Sequence, residues 1–275
     1  MCDAENGTRN TGMSHFQYKG SNIFYEDRGS GDCLLYVHEW NGSSLSFRKF
    51  NLKHLVNDAR VICIDLPGYG DSGYPDDLEF DDFSLILAGV LDHLAIGKCT
   101  LMGFCLGSAI ILDFYLKFPD RVRSMILIEP VIKFPMILIP LLIPRFGTRF
   151  LEYLSKSRLL FSLVGHWVVG GGKSASTFVF KSIGKCDPVI SHRYLQLMYR
   201  KHRLDERSAQ YADLQNMAVC ITGKKTNRIF RTNLSYVKRR FNIHACFNID
   251  DSRHFVMIEQ PEQFLKIIQG YMKRD

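Results

Sequence analysis

Residues 99–130 read CTLMGFCLGSAIILDFYLKFPDRVRSMILIEP, and the order of residue types along them decides the fold. Cys99–Met102 is a short apolar run that reads as a strand. Gly103-Phe104-Cys105-Leu106-Gly107 makes a tight turn. Leu106 to about Lys117 reads as a helix, ended by Pro119, and Val122–Ile128 is the next strand. Strand, G-x-nucleophile-x-G turn, helix is the context of a nucleophile elbow. The turn is sharp enough that side chains at the two glycine positions would strike the neighbouring strand or helix. Cys105 then stands at a helix N-terminus, where partial positive charge favours a thiolate. The backbone N–H of Leu106 faces the place where an oxyanion would form. The chain has eight cysteines, and a free cysteine is by default a small core residue. The turn around it is what singles out Cys105.

Outward from this segment the chain alternates strand and helix, the pattern of a mostly parallel sheet covered on both faces. Ser14–Tyr18 and Asn22–Asp27 read as an opening hairpin, and Cys33–His38 and Val61–Asp65 as buried strands. Asp81–Ile96 is amphipathic, with Phe83, Leu87, Val90, Leu91 and Leu94 on one face and Gly97 as the stop. Ala218–Thr222 and Ile243–Ile249 are further strands, and Phe230–Arg240 and Gln260–Met272 further helices. Residues 131–212 break the alternation with apolar helical stretches. The expected organisation is a tail at 1–13, a core formed by 14–130 and 213–275, and a helical cap inserted at 131–212.

The 275 residues carry a formal net charge of +7 in short clusters, such as Lys238-Arg239-Arg240, without the dense basic and aromatic stripe of a nucleic-acid binder. The reading is a solvated basic surface, with weak attraction to anionic substrates or an anionic membrane left open. No cysteine pair has CxxC spacing, so zinc and thioredoxin chemistry are not expected. The cysteines beside apolar strands fit a reducing, cytoplasmic compartment. No signal-peptide core is present, and no apolar run approaches the ~18 residues of a membrane span. Gly170-Gly171-Gly172-Lys173 lacks the surrounding phosphate-loop pattern, and no Rossmann fingerprint occurs, so no cofactor is implied.

Four segments together resemble the α/β-hydrolase fold superfamily, in its capped form with haloalkane dehalogenases, epoxide hydrolases and C–C hydrolases. LLYVHEWNGSS (34–44) resembles the strand and oxyanion loop, and DLPGYGDSGYP (65–75) the D-x-P-G-x-G-x-S segment. LMGFCLGSAIILDFYLKFPDRVRSMILIEP (101–130) resembles the elbow and following strand, and SRHFVMIEQPEQFLKIIQGYM (252–272) the histidine loop and last helix. GFCLG by itself resembles the cysteine elbow of dienelactone hydrolases, which lack such a cap. The resemblance implies an α/β-hydrolase sheet with Cys105 as nucleophile, His254 as base, and the backbone N–H groups of Leu106 and Trp40 as oxyanion hole.

Departures from the family pattern qualify each role. Cys105 replaces serine or aspartate, which disfavours dehalogenase and epoxide hydrolase chemistry. Glu39 replaces the oxyanion-loop glycine, and a carboxylate there would disfavour a neighbouring thiolate or oxyanion. The usual aspartate three residues after the glycine of the strand-seven turn is Thr226, which cannot stabilise an imidazolium as a carboxylate does. Glu129, at the end of the preceding strand where some dehalogenase-like members carry their acid, is the candidate instead. Asp250 and Asp251 are weaker alternatives.

The leading functional expectation is a hydrolase, thioesterase or acyltransferase acting on an ester, thioester or lactone of a largely apolar small molecule through an acyl-cysteine. The apolar residues of 131–212 suggest the apolar pocket. A second reading is a non-hydrolytic cyclase, isomerase or lyase using His254 as acid–base. A third is a small-ligand-binding protein without turnover. One fold hosts many functions, so the fold does not choose among them.

Overall fold

The computed structural model of the protein describes residues 12–50, 55, 59–169, 172–205, 214, 217–243 and 245–272. Eight strands form one sheet: β1 (Gly12–Tyr18), β2 (Ser21–Arg28), β3 (Cys33–Val37), β4 (Arg60–Ile64), β5 (Cys99–Phe104), β6 (Val122–Ile128), β7 (Ala218–Gly223) and β8 (Ala245–Ile249). Their spatial order is β1-β2-β4-β3-β5-β6-β7-β8. β2 is antiparallel to β1 and β4, and the strands from β4 to β8 run parallel. The fold class is the expected α/β-hydrolase architecture. β1 begins at Gly12, so two residues assigned to the tail belong to the hairpin; the rest of that tail, 1–11, lies outside the described residues.

The helices are α1 (Leu45–Lys49), α2 (Phe80–His93), α3 (Leu106–Lys117), α4 (Phe146–Lys156), α5 (Arg158–Val169), α6 (Lys173–Ile183), α7 (Pro188–Asp205), α8 (Arg228–Phe241), α9 (Val256–Glu259) and α10 (Pro261–Met272). Side chains alternate across the sheet, as a two-residue strand period requires. On β3, Leu35 and Val37 join the cluster that packs Phe83 of α2 and Phe114 of α3. Leu34 and Tyr36 enter the opposite cluster, with Phe47 of α1 and Phe264 of α10. α2 begins with a reciprocal cap, in which Asp82 accepts the Glu79 backbone N–H at 2.7 Å. Its exit is through Ala95, at φ +52°, two residues before the glycine expected to stop it.

Between β6 and β7 the chain forms a 3-10 turn (Met136–Leu142) and α4–α7, with no strand among its described residues. Several polar contacts tie this insertion to the core. Asn233 of α8 accepts the backbone N–H groups of Ile132 and Lys133 at 2.8 and 2.6 Å. Tyr194 of α7 donates to the Pro67 carbonyl at 2.9 Å. Lys201 of α7 meets buried Asp113 of α3 at 2.5 Å. Burial alone would raise the Asp113 carboxyl, but Lys201 and Lys117 hold it below the usual range. Removing the lysines would leave that carboxylate buried without a counter-charge, a loss of about 3–5 kcal/mol.

The chain order reverses at β3. From it the chain moves outward to β4, then returns to the other side for β5. Such a switch leaves a crevice beyond the carboxyl ends of the two adjacent strands. The 38–44 loop leaves β3 there and the Cys105 turn leaves β5.

Candidate active site

The elbow is built by exclusion. A Cβ on Gly103 would lie 2.5 Å from the carbonyl carbon of Gly107, and one on Gly107 would lie 2.1 Å from the Val37 carbonyl oxygen. Only glycine fits either place. Cys105 itself sits at φ +54° and ψ −110°, a conformation that side chains rarely adopt. Three contacts hold it there. Its N–H donates to the Ile128 carbonyl at 2.9 Å, its carbonyl accepts from Val131 at 3.3 Å, and Ser108 donates to the Gly103 carbonyl at 2.7 Å.

Glu129 follows directly on β6, also with positive φ (+45°). Its Oε2 lies 3.3 Å from His254 Nδ1. Its Oε1 accepts two hydrogen bonds of 2.6 Å, from the Gly223 N–H and the Thr226 hydroxyl. The carboxylate is therefore fully engaged, and all three side chains are buried. With Nδ1 donating to Glu129, the Nε2 atom of His254 is the basic nitrogen. Phe230 stacks on the imidazole with centroids 3.9 Å apart, and Phe104 and Phe255 flank it at 5.3 Å. The ring is thus fixed in direction by one carboxylate and three aromatic neighbours. Asp250 and Asp251 are exposed instead and pair with Lys224 and Lys225.

Cys105, His254 and Trp40 line one cavity of ≈ 100 Å³ with Leu138, Phe178 and Met198 from the insertion. The Trp40 indole donates to the Ser191 carbonyl of α7 at 3.1 Å, which ties the 38–44 loop to the helices above it.

The electrostatics reverse one expectation. Burial pushes the Cys105 thiol well up, the Glu39 carboxylate adds to this, and the Leu106 N–H opposes it without prevailing. Cys105 therefore rests as a thiol rather than as the thiolate that a helix N-terminus alone would favour. Glu39 is buried, and burial lifts its carboxyl to about 7, against the pull of the Ser46 hydroxyl that donates to Oε1 at 3.0 Å. Gly42 makes the space for this carboxyl, since a Cβ there would stand 2.6 Å from Glu39 Cδ. His38 plays a structural part. It accepts the Leu66 N–H at 2.9 Å through Nε2, and its Nδ1 donates to the Glu39 carbonyl at 2.7 Å.

Two features were not foreseen from the sequence. Thr226 was read only as the loss of an acid, whereas its hydroxyl donates to the Glu129 carboxylate. The spacing Gly223–Thr226, facing a Glu129 at the next strand end, was the available signal. Phe230 had no signal, because stacking across from α8 follows from tertiary packing.

A family model described as alpha/beta hydrolase fold matches residues 32–162. A 2-hydroxy-6-oxononadienedioate/2-hydroxy-6-oxononatrienedioate hydrolase of Burkholderia vietnamiensis is 27% identical over 193 residues, 66% of this chain and 62% of that protein. A 2-hydroxy-6-oxo-2,4-heptadienoate hydrolase of Pseudomonas putida is 30% identical over 109 residues, 38% of this chain and 40% of that protein. The chain spans less than two thirds of the length of either relative. A thermophilic esterase from Thermogutta terrifontis superposes with a TM-score of 0.75 at 20% identity, covering 95% of this chain and 97% of its own. That structural likeness concerns the fold.

Proposed function

We propose that this chain, which has the α/β-hydrolase fold and matches that family's model over residues 32–162, is a hydrolase or acyltransferase that forms an acyl-cysteine at Cys105 from an ester, thioester or lactone of a largely apolar substrate. The observation that carries the reading is the convergence of three side chains. Glu129 stands 3.3 Å from His254 Nδ1, and His254 and Cys105 line one cavity.

The steps follow from the resting charges. Cys105 is a thiol, so its proton leaves as the sulfur attacks: His254 Nε2 takes it while the S–C bond forms. Glu129 stabilises the imidazolium. The carbonyl oxygen becomes an oxyanion and accepts from the backbone N–H groups of Leu106 and Trp40. The tetrahedral intermediate collapses, the bond to the leaving oxygen or sulfur breaks, and His254 returns the proton to that group. Water or an acceptor alcohol then attacks the acyl-cysteine with His254 again as base, and Cys105 is expelled. A thioester suits the first half, because sulfur replaces sulfur on the acyl carbon. The helices at 131–212 act as the cap, and Leu138, Phe178 and Met198 give the cavity an apolar wall that suits a hydrocarbon chain.

A second reading has a specific observation behind it. The high thiol and the neighbouring Glu39 carboxyl favour chemistry without a thiolate, in which His254 acts as acid–base for a cyclisation, isomerisation or lyase step. Intact-protein mass spectrometry with aryl esters and acyl thioesters separates the two. An acyl adduct on the wild type that Cys105→Ala lacks supports the acyl-cysteine. Turnover retained by Cys105→Ala, with no adduct on the wild type, rejects it for the non-covalent route.

A further inference from the structure

The insertion between β6 and β7 has an outer face unlike that of an ordinary surface helix. Along α4, Phe146, Arg149, Tyr153 and Lys156 follow helical spacing and are all exposed, while Gly147, Leu151 and Leu154 are buried behind them. Along α5, Arg158, Leu159 and Leu163 are exposed, Leu159 at 72%. Met136 and Ile143, beside α4 in sequence, add apolar surface at 67% and 56%. The 3-10 turn packs on α4, and α4 on α5. Outward faces of soluble helices are normally polar; here large apolar side chains alternate with cations.

The charge of the segment is one-sided. Residues 131–186 contain eight lysines and arginines and a single acid, Glu152. Their excess of seven equals the formal net charge of the whole chain, +7, so the remainder of the chain is neutral. The insertion is one of two basic regions, since residues 214–249 carry seven lysines and arginines and no acid. Apolar side chains ringed by arginine and lysine match the interface of an anionic bilayer, in which the apolar groups enter the headgroup region and the cations meet lipid phosphates. A second copy of the chain would present the same sign of charge. No helix among the described residues is long and apolar enough to cross a membrane, so the contact is peripheral.

The face also leads to the cavity. Ile137 is 58% exposed and lines the same space as Cys105 and His254. We propose that the outer face of the 131–186 part of the insertion docks on an anionic lipid bilayer and opens the Cys105 cavity toward it. The substrate is then an amphiphilic acyl compound dissolved in the bilayer, a consequence that rests on the acyl-cysteine reading; the docking does not.

Flotation of the full chain with vesicles tests the docking without any turnover. The chain is expected to float with vesicles of phosphatidylcholine mixed with phosphatidylglycerol, less so at raised salt, and not with phosphatidylcholine alone. Leu159→Glu/Leu163→Glu should weaken partitioning by roughly tenfold or more, and Arg149→Gln by roughly fivefold. Both variants should hydrolyse a soluble aryl ester as the wild type does, because none of these residues lines the cavity. Failure to float with the anionic vesicles overturns the proposal. So does undiminished flotation of both variants. A concentration-dependent dimer that the leucine variant dissolves, in the absence of vesicle binding, would assign the face to a second copy.

Discussion

The hydroxyl of Thr226 donates to Oε1 of Glu129 at 2.6 Å. Thr226 stands where the family pattern expects an acid, and Glu129 is the acid that faces His254 from the neighbouring strand end. Relative to the family pattern the carboxylate facing His254 stands one strand over, and the residue at the expected position donates to it. The Gly223 N–H completes the cradle, also at 2.6 Å. A carboxylate held by two donors keeps one oxygen for the imidazole, as a positioning acid requires.

Thr226→Val should therefore lower kcat on an aryl ester by about tenfold with little change in KM, since a charge-assisted hydrogen bond of this kind contributes roughly 1.5–3 kcal/mol. Glu129→Gln should lose far more. Glu129→Gln/Thr226→Asp should recover part of that loss by returning a carboxylate to the strand-seven turn. Steady-state kinetics on the four proteins decides it. A double variant no better than Glu129→Gln would show that the two positions are not equivalent approaches to His254.

Alkylation at neutral pH should bypass Cys105. Burial and Glu39 hold its thiol protonated. Cys246 is half-buried, and its thiol is lowered by the hydrogen bond from Cys220 and by Lys238. Limiting iodoacetamide at pH 7.5 followed by peptide mapping should therefore modify Cys246 before Cys105, because the thiolate is the nucleophile. Faster labelling of Cys105 would place a thiolate in the resting site and return the helix N-terminus to the leading role.

The elbow, the eight strands and four of the flanking core helices were legible because each is a local pattern, whereas the short α1 and α9 were not read. Gly103 and Gly107 are needed within their own turn, and the strands are apolar runs bounded by turn residues. The acid was half legible. Glu129 was nameable from its place after Ile128, but its contact with His254 depends on β6 and the loop after β8 converging across 125 residues of sequence. The state of Cys105 was not legible. A helix N-terminus can be read from a sequence, whereas the desolvation that outweighs it comes from residues that only the fold brings around the half-buried Cys105, Glu39 among them.

Gly107→Ala should prevent stable folding. Its Cβ would lie 2.1 Å from a backbone oxygen of β3, and neither partner is the free end of a side chain. The strain should exceed about 4 kcal/mol, a large part of a domain's stability. Gly97→Ala, where a Cβ meets nothing within 4 Å, is the matched control and should unfold with the wild type in urea.

Neighbouring His38 and Glu39 should show opposed pH dependences. Glu39 is raised from 4.5 to about 7 by burial, so its ionisation costs stability as pH rises through that window, by about 3 kcal/mol in full. His38 is lowered from 6.5 to about 4 by burial, so stability is lost as pH falls from 6.5 to 4, by a similar amount. In the wild type the two largely offset each other between pH 4.5 and 6.5. Glu39→Gln removes one side of the balance. It should stabilise the protein at pH 8 by up to about 3 kcal/mol, and it should expose the acid loss belonging to His38. Urea unfolding of both proteins at pH 4.5, 6.5 and 8 measures this. Parallel pH profiles for the two proteins would mean that Glu39 ionises as freely in the folded chain as in the unfolded one. Its carboxylate could then stand beside Cys105 throughout the neutral range, which would weigh against the oxyanion that the acyl-cysteine route requires.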